Sequence, residues 1–422
     1  MVKAIFKFIL FFSCLLIAIC NVNAGHLVNS NDMYYYEIDT ALLDIEKDII
    51  GKHANKSQEY GVVKVVKQND QINVVLLQDA IINHSIKLNN IVFDLNGYSL
   101  IINSDEGIMV DGITEIISSI PGGRIVSRTN DVTLVSIWRK STCTINGVNI
   151  DINANDGNLC GVHVYGNLNL VNSNILINGN PTKDNNPSVY GVYGNLFSRV
   201  KIDNSNIEAY TQDGSAYAVF NGDSAEVKNS TLTGFSNYMS NESAFTQYSV
   251  GCYNNGTLTL TNCNVSGIHS GVDSCGSLII NGGTYSGFGH GGVYFAGCGQ
   301  TSYVKNATLQ EMDMPDGYVA QGPISTNAGC YIGGGERNDN LTVYMNNCSI
   351  FASKHSIVLR GSSGEQNNQV YVSNTTIDVL SVRIDNDTHK LHIGIGCNFD
   401  QEHTTLPNVV YLTEDIYCEE QN

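Results

Sequence analysis

Two histidines and one aspartate near the middle of the chain stand at a spacing suited to acid–base chemistry. His269 and His290 are 21 residues apart, and Asp273 follows His269 by four. Each histidine lies two residues before a Gly-Val pair, in His269-Ser270-Gly271-Val272 and His290-Gly291-Gly292-Val293. A carboxyl group beside imidazoles lets one group donate a proton while another accepts it, because each tunes the other's pKa. His269, Asp273 and His290 are therefore the candidate catalytic residues, with Glu311 or Asp313 on the loop just after. An elimination mechanism would instead need a basic residue to abstract a proton, and Arg337, Lys354 and Arg360 are the candidates for that role. Zinc-ligand spacings, a phosphate-binding Gly loop and a nucleophile elbow are absent from the sequence.

The same Gly-Val-x element recurs as Gly161-Val162-His163, Gly251-Cys252-Tyr253 and Gly292-Val293-Tyr294. Successive side chains on an extended strand point to opposite faces, so the apolar second residue faces inward and the third outward. Aligning the elements gives an outward stripe of His163, Tyr193, Phe220, Tyr253, Asp273, Tyr294, Tyr331, Val358 and Arg383. Aromatic rings cover the apolar faces of sugars, which makes His163, Tyr193, Phe220, Tyr253, Tyr294 and Tyr331 the candidate ligand-binding residues. Aromatic ladders also stabilise parallel sheets by stacking on themselves, and both readings fit the pattern.

These residues are positioned by a repeat. The pattern apolar-x-apolar-x-(Asn/Gly)-x-x-apolar recurs around Gly97, Gly122, Gly147, Asn172, Asn204, Asn229, Asn262, Gly282, Asn306, Asn347, Asn374 and Gly396. Self-similarity at 20–27 residues, with longer intervals where loops are inserted, is the mark of a solenoid. Alternation without helical periodicity means short strands separated by tight turns. Stacked coils pair in parallel at roughly 4.8 Å per coil, and parallel crossovers are right-handed. The expected fold is all-β: a right-handed parallel β-helix of about twelve coils. Side chains at the central Asn would bond head to tail along the stack, and Gly fits where the turn needs positive φ. Eleven Asn-x-Ser/Thr sites occur; those at Asn229, Asn306, Asn347 and Asn374 fall on this ladder position, which explains them without glycosylation.

This coil pattern, over roughly residues 60–400, resembles the pectin-lyase-like superfamily of right-handed β-helices. That resemblance implies a fold shared by polysaccharide lyases, glycoside hydrolases, phage tailspikes and adhesins. Gly289-His290-Gly291, one coil after Asp273, resembles part of the polygalacturonase pattern, in which Asp residues and a Gly-His-Gly histidine line the cleft. Ser274 stands where that family has a second Asp, and no Asn-Thr-Asp or Arg-Ile-Lys motif accompanies it.

Four regions follow from this reading: a signal peptide over 1–24, an N-terminal cap over 25–60, the β-helix over 61–400 and a C-terminal cap or tail over 401–422. Met1–Ala24 has Lys3 and Lys7, an apolar stretch and small residues before the cleavage point, so the protein is expected to be secreted. No later apolar segment is long enough to span a bilayer. Apolar residues at Ile38, Leu42, Leu43, Ile45 and Ile49 predict an amphipathic capping helix over Tyr34–Lys52, and Val409–Tyr417 a closing strand. Of 12 cysteines, Cys14 and Cys20 leave with the signal. The remainder either form one or two bridges, Cys275–Cys298 and Cys143–Cys160 foremost, or pack as buried apolar rungs.

With 22 Lys+Arg against 40 Asp+Glu, the formal charge is −18, which disfavours nucleic acid, an anionic membrane surface and anionic polymers as partners. Charged residues are only 15% of the chain and Gly numbers 41, as a narrow rod with frequent turns requires. No cofactor is expected, although Ca²⁺ on the acidic loop Asp313–Asp316 would suit a lyase. Three functions fit: a polysaccharide- or surface-glycan-binding adhesive rod, a polysaccharide-degrading enzyme centred on His269, Asp273 and His290, or a structural display rod with specificity in loops 181–190, 236–250 and 311–328.

Overall fold

The computed structural model describes residues 27–30, 33–37, 56–60, 62–68, 71–179, 188–212, 214–236, 249–296, 299–313, 328–333, 340–360, 367–378, 382–384, 389–398 and 409–413. Every regular element among them is a β-strand. One coil consists of Leu159–Val164, Asn167–Val171 and Asn174–Gly179, and the next of Ser188–Gly194, Arg199–Asp203 and Asn206–Thr211. Each strand pairs in parallel with its counterpart in the next coil. First strands stack into a twelve-stranded sheet, while second and third strands form one 28-stranded sheet. The latter is continuous because two coils carry unbroken bent strands, Thr257–Gly267 and Ser277–Gly287. The architecture is the parallel β-helix expected from the repeat, with twelve strands in its narrower sheet.

Inward side chains form unbroken apolar rows. Val162, Val192, Val219, Cys252, Val272 and Val293 are all fully buried, one above the other. Burying a Val or Leu side chain stabilises by about 1.5–3 kcal/mol, and the rows repeat that gain in every coil.

The corner between second and third strands carries the repeat's central residue. All twelve positions, from Gly97 (φ 83°) to Gly396 (φ 74°), lie in the left-handed region, which Gly and Asn enter at least cost. Amides bond along the stack: Asn204 Nδ2 donates to Asn172 Oδ1 at 2.7 Å, and Asn347 Nδ2 to Asn306 Oδ1 at 2.8 Å. Asn229 instead reaches Asp203 Oδ1 at 3.0 Å. These contacts face solvent, so conformation rather than buried hydrogen bonding selects the residue.

The position after the corner points inward. Ser173 N–H donates to Ser205 Oγ (3.2 Å) and Ser205 N–H to Ser230 Oγ (3.1 Å), all three serines being buried. Cys263 and Cys348 take the same place and reach the carbonyls of Thr261 and Asn346 at 3.3 Å. Cysteine here is a rung residue. The bridge anticipated between Cys143 and Cys160 does not form; both are buried thiols in different sheets of the coil. Cys275 Sγ lies 3.6 Å from Tyr253 Oη, and its suggested partner Cys298 is outside the described residues.

Both ends are closed by strands. Met33–Glu37 pairs antiparallel with Leu27–Ser30 and lies in parallel on Ala80–Ile82. The capping helix predicted to start at Tyr34 is therefore strand through Glu37; residues 38–52 fall outside the described ones. Three tyrosines in succession favour a pleated strand, and the first coil offers an open edge to pair with. Lys56–Tyr60, Val63–Gln68 and Gln71–Leu76 form an antiparallel meander whose last strand joins Ile91–Asp94 in parallel. At the other end Val409–Tyr411 closes on Lys390–Ile393. Among the described residues no helix is long and apolar enough to cross a membrane.

Candidate functional site

Parallel pairing in the twelve-stranded sheet puts His163, Tyr193, Phe220, Tyr253, Asp273, Tyr294, Tyr331, Val358 and Arg383 in a single column, the stripe predicted from sequence. The stripe is wider than predicted. Tyr190 and Tyr193 bring their ring centroids to 4.9 Å, and Tyr217 and Phe220 to 5.8 Å, so residues three apart share the outer face. Strict alternation would send Tyr190 and Tyr217 inward. At Gly191 the ladder skips one residue on each strand, Gly161 and Ala218 being its counterparts, without a change of register; this paired bulge turns two successive residues inward and resets the alternation. A second outward column therefore runs Cys160, Tyr190, Tyr217, Val250 and Ser270 beside the first.

Glycine at this bulge is obligatory near Asp273. A Cβ on Gly271 would sit 2.6 Å from Gly292 O and 2.9 Å from Val265 O, inside van der Waals contact with backbone that cannot retreat.

Rings stack on each other along the coils. Tyr193–Phe220 and Phe220–Tyr253 are stacked at 4.8 and 4.9 Å, and Tyr190–Tyr217 at 5.2 Å. Their faces are turned to one another, which leaves edges and hydroxyls outward. His163 meets Tyr193 edge-on at 4.8 Å, and burial lowers its pKa. Tyr331 and Val358 do not stand on an open face: they are 2% and 1% exposed and pack with Ala328 and Tyr294 in a small outer apolar cluster.

The aromatic floor is interrupted in one coil. There the two columns carry Ser270 and Asp273 instead of rings, and both are buried. Among the described residues, Asp273 Oδ1 and Ser270 Oγ have no hydrogen-bond partner. The sequence reading identified Asp273 but not Ser270, which the bulge places on the outer face.

His269 and His290 occupy equivalent corners of successive coils. The His290 N–H donates to the His269 carbonyl at 2.7 Å, which locks the two turns together. Their rings follow: His290 Nδ1 lies 3.0 Å from His269 Nε2, one bearing the proton and the other accepting it. His269 Nε2 is 4.0 Å from Asp273 Oδ2. His290 stacks on Tyr294 at 4.6 Å and meets the edge of Tyr331 at 4.6 Å. The three predicted catalytic residues are thus brought together.

Burial sets their protonation. Desolvation pushes the Asp273 carboxyl up to about 7 and lowers His269 to about 4. His290 is also lowered, by burial first and then by the charges of His269 and Arg360. At 4.0 Å the His269–Asp273 contact has the length of an ion pair, but an ion pair would move both shifts the other way. Between about pH 4 and 7 burial therefore favours a neutral cluster, a carboxylic acid beside two neutral imidazoles. A carboxyl titrating near 7 donates and recovers a proton equally readily at neutral pH.

The other predicted groups are engaged elsewhere or lie apart. Glu311 Oε2 accepts the Ser353 N–H at 2.7 Å, and Asp313 and Lys354 are exposed. Arg360 Nη1 donates to Tyr331 Oη at 3.4 Å. Arg337 and residues 314–316 of the acidic loop lie outside the described residues. Among the described residues no group of three or more His, Cys, Asp or Glu is arranged to hold a metal ion. No family model matches the chain, and no curated protein or solved structure does either.

Proposed function

We propose that the protein is a secreted glycan-binding rod of the pectin-lyase-like kind, whose ligand contacts the outer face of the twelve-stranded sheet around Asp273. The observation that carries this reading is the break in the aromatic floor. At roughly 4.8 Å per coil, Tyr253 and Tyr294 flank Asp273 about 10 Å apart. Between them the Asp273 carboxyl and Ser270 hydroxyl keep unused hydrogen-bonding capacity, and because both are buried a ligand reaches them only once the side chains above them move aside. Rings on two sides and polar groups on the floor are what a sugar ring with apolar faces and a hydroxylated rim requires. A neutral carboxyl suits a neutral polysaccharide or surface glycan better than a polyanion, in keeping with the net charge of −18.

The test is a glycan array read with the wild-type protein and with Tyr253→Ala and Tyr294→Ala. Binding that both substitutions weaken supports the reading. Binding unchanged by either would make the stripe purely structural and leave the rod a display scaffold.

A second reading, a polysaccharide-degrading enzyme, is favoured by one observation: the Asp273 carboxyl titrates near neutral pH beside two imidazoles. It requires product release from some polysaccharide, lost in Asp273→Asn. A broad panel giving no reducing ends and no unsaturated product with the wild-type protein would dismiss it.

A further inference from the structure

Remote from Asp273, one corner of the rod exposes apolar side chains where a solvated turn would place polar ones. The turns leading from the twelve-stranded sheet into the next strand carry Trp138 (45% exposed), Leu196 (60%) and Phe197 (78%), and Ile113 (71%) opens a strand at the same corner. The four belong to one surface. Ile113, Thr142, Asn167 and Arg199 are aligned by parallel pairing, one per coil. At about 4.8 Å per coil the row extends roughly 14 Å.

Two of these turns have the same construction. Ser141 N–H closes on Trp138 O at 3.1 Å, and Ser198 N–H on Asn195 O at 3.2 Å. Their third residues, Lys140 and Phe197, have φ of 67° and 68°. That conformation is natural to Gly or Asn and strained by about 1–2 kcal/mol for other residues. Phe197 thus holds a largely exposed ring outward at a conformational cost.

Charge at the corner runs against that of the molecule. Arg139, Lys140 and Arg199 are exposed there and make no ion pair among the described residues. Asp111 is neutralised by Lys87 at 2.7 Å, whose ammonium also sits 5.3 Å from the Trp138 ring centroid. Two carboxylates nearby make no ion pair among the described residues: Glu115, two residues beyond Ile113 along the strand, and Asp223, in the equivalent turn one coil beyond Arg199.

We propose that this corner is a docking ridge for an anionic lipid surface. Trp138, Leu196, Phe197 and Ile113 enter the headgroup layer, and Arg139, Lys140 and Arg199 meet the lipid phosphates. Aromatic rings with apolar bodies beside flexible cations are the composition that settles at a bilayer interface. The shape agrees: a line of turn tips is convex, and a deformable lipid surface accepts a ridge that offers a rigid partner no groove.

Trp138 is the only tryptophan in the chain, so its emission reports the event directly. Phosphatidylcholine vesicles containing phosphatidylglycerol should shift that emission to the blue and shield it from iodide, whereas phosphatidylcholine alone should not. Each cation removed, as Arg139→Gln or Lys140→Gln, should weaken partitioning about fivefold, equivalent to about 1 kcal/mol. Phe197→Asn tolerates the positive φ, so the variant should fold at least as stably as wild type while losing most of its partitioning. Three results would overturn the proposal: unchanged Trp138 emission with anionic vesicles, wild-type partitioning by Phe197→Asn, or a blue shift that appears without lipid and grows with protein concentration. The last would assign the ridge to a second copy of the chain.

Discussion

Replacing Asp273 by Asn preserves the shape of the side chain and removes its titration, which isolates the energetic consequence of burying a carboxyl without donors. Burial raises the group from 3.8 to about 7, so the folded state holds a proton over a range in which the unfolded chain has released it. Where the folded state binds more protons than the unfolded one, stability falls as pH rises. At about 1.4 kcal/mol per pH unit, the span between the two values amounts to on the order of 4 kcal/mol, lost by wild type between pH 4 and 7. His269 works in the opposite sense. Its value falls from 6.5 to about 4, so the unfolded chain binds the extra proton in that window and stability rises with pH. His290, also lowered, adds to the rise. Between pH 4 and 6.5 the wild-type curve therefore climbs with the net of two histidines against one aspartate, and that of Asp273→Asn with two histidines unopposed. Urea unfolding across pH should show the two proteins diverging by about 1.4 kcal/mol per unit from pH 4 to 7, and parallel above and below. An unpaired Asn amide would subtract about 1–3 kcal/mol from the variant at every pH, so the slope of the difference is the test and its intercept is not. A difference curve flat between pH 4 and 7 would refute the neutral-cluster assignment.

Other consequences are as direct. Asn221 is fully buried and its Nδ2 donates to Asn254 Oδ1 (2.8 Å) and Thr257 O (3.0 Å), so Asn221→Ala should cost about 1–3 kcal/mol in urea unfolding. Asn262, exposed at φ 52°, should lose only about 1 kcal/mol on change to Ala and almost nothing on change to Gly, in the same assay. Gly271→Ala should disrupt the strand bearing Asp273, because its methyl group would meet the Gly292 and Val265 carbonyls; soluble yield and melting temperature report this. Burial raises the thiols of Cys143, Cys252 and Cys330 and pushes Cys160 up to about 12. A thiol reagent should reach these four only after denaturant is added.

The fold was legible because a β-helix writes its period into the chain. The twelve corner residues read from spacing all take positive φ, and the outward column aligned by counting from each Gly-Val pair is the column that the strands pair. Legibility failed where a local irregularity broke the count. The bulge beside Gly191 hid Tyr190, Tyr217 and Ser270 on the outer face. The buried run Asn221, Asn254 and Ser274, linked by bonds of 2.8 and 2.9 Å, follows the stripe residue in each coil but was masked by the more frequent corner asparagines. Those corner amides, expected to bond head to tail, do so at Asn204 and Asn347, but on the exposed surface. At Tyr34 an amphipathic pattern predicted helix where an open sheet edge recruited strand. His269, Asp273 and His290 could be grouped from sequence because adjacent coils bring residues one period apart together. Their burial could not, since outward positions in neighbouring coils remain half-exposed.

The nearest-neighbour pairing of the coils also sets how the molecule comes apart. Ser270–Ser274 is the eighth of twelve strands in its sheet, with four coils on one side and seven on the other. In a linear stack of this kind cooperativity decays with distance, opening starts at the termini, and each coil lost exposes one more. Amide exchange should accordingly be graded along the rod, fastest at both ends and slowest in the coils near its middle. Fraying that reaches inward from residue 409 would meet Asp273 before fraying from residue 62 does, so the C-terminal end is the shorter fuse.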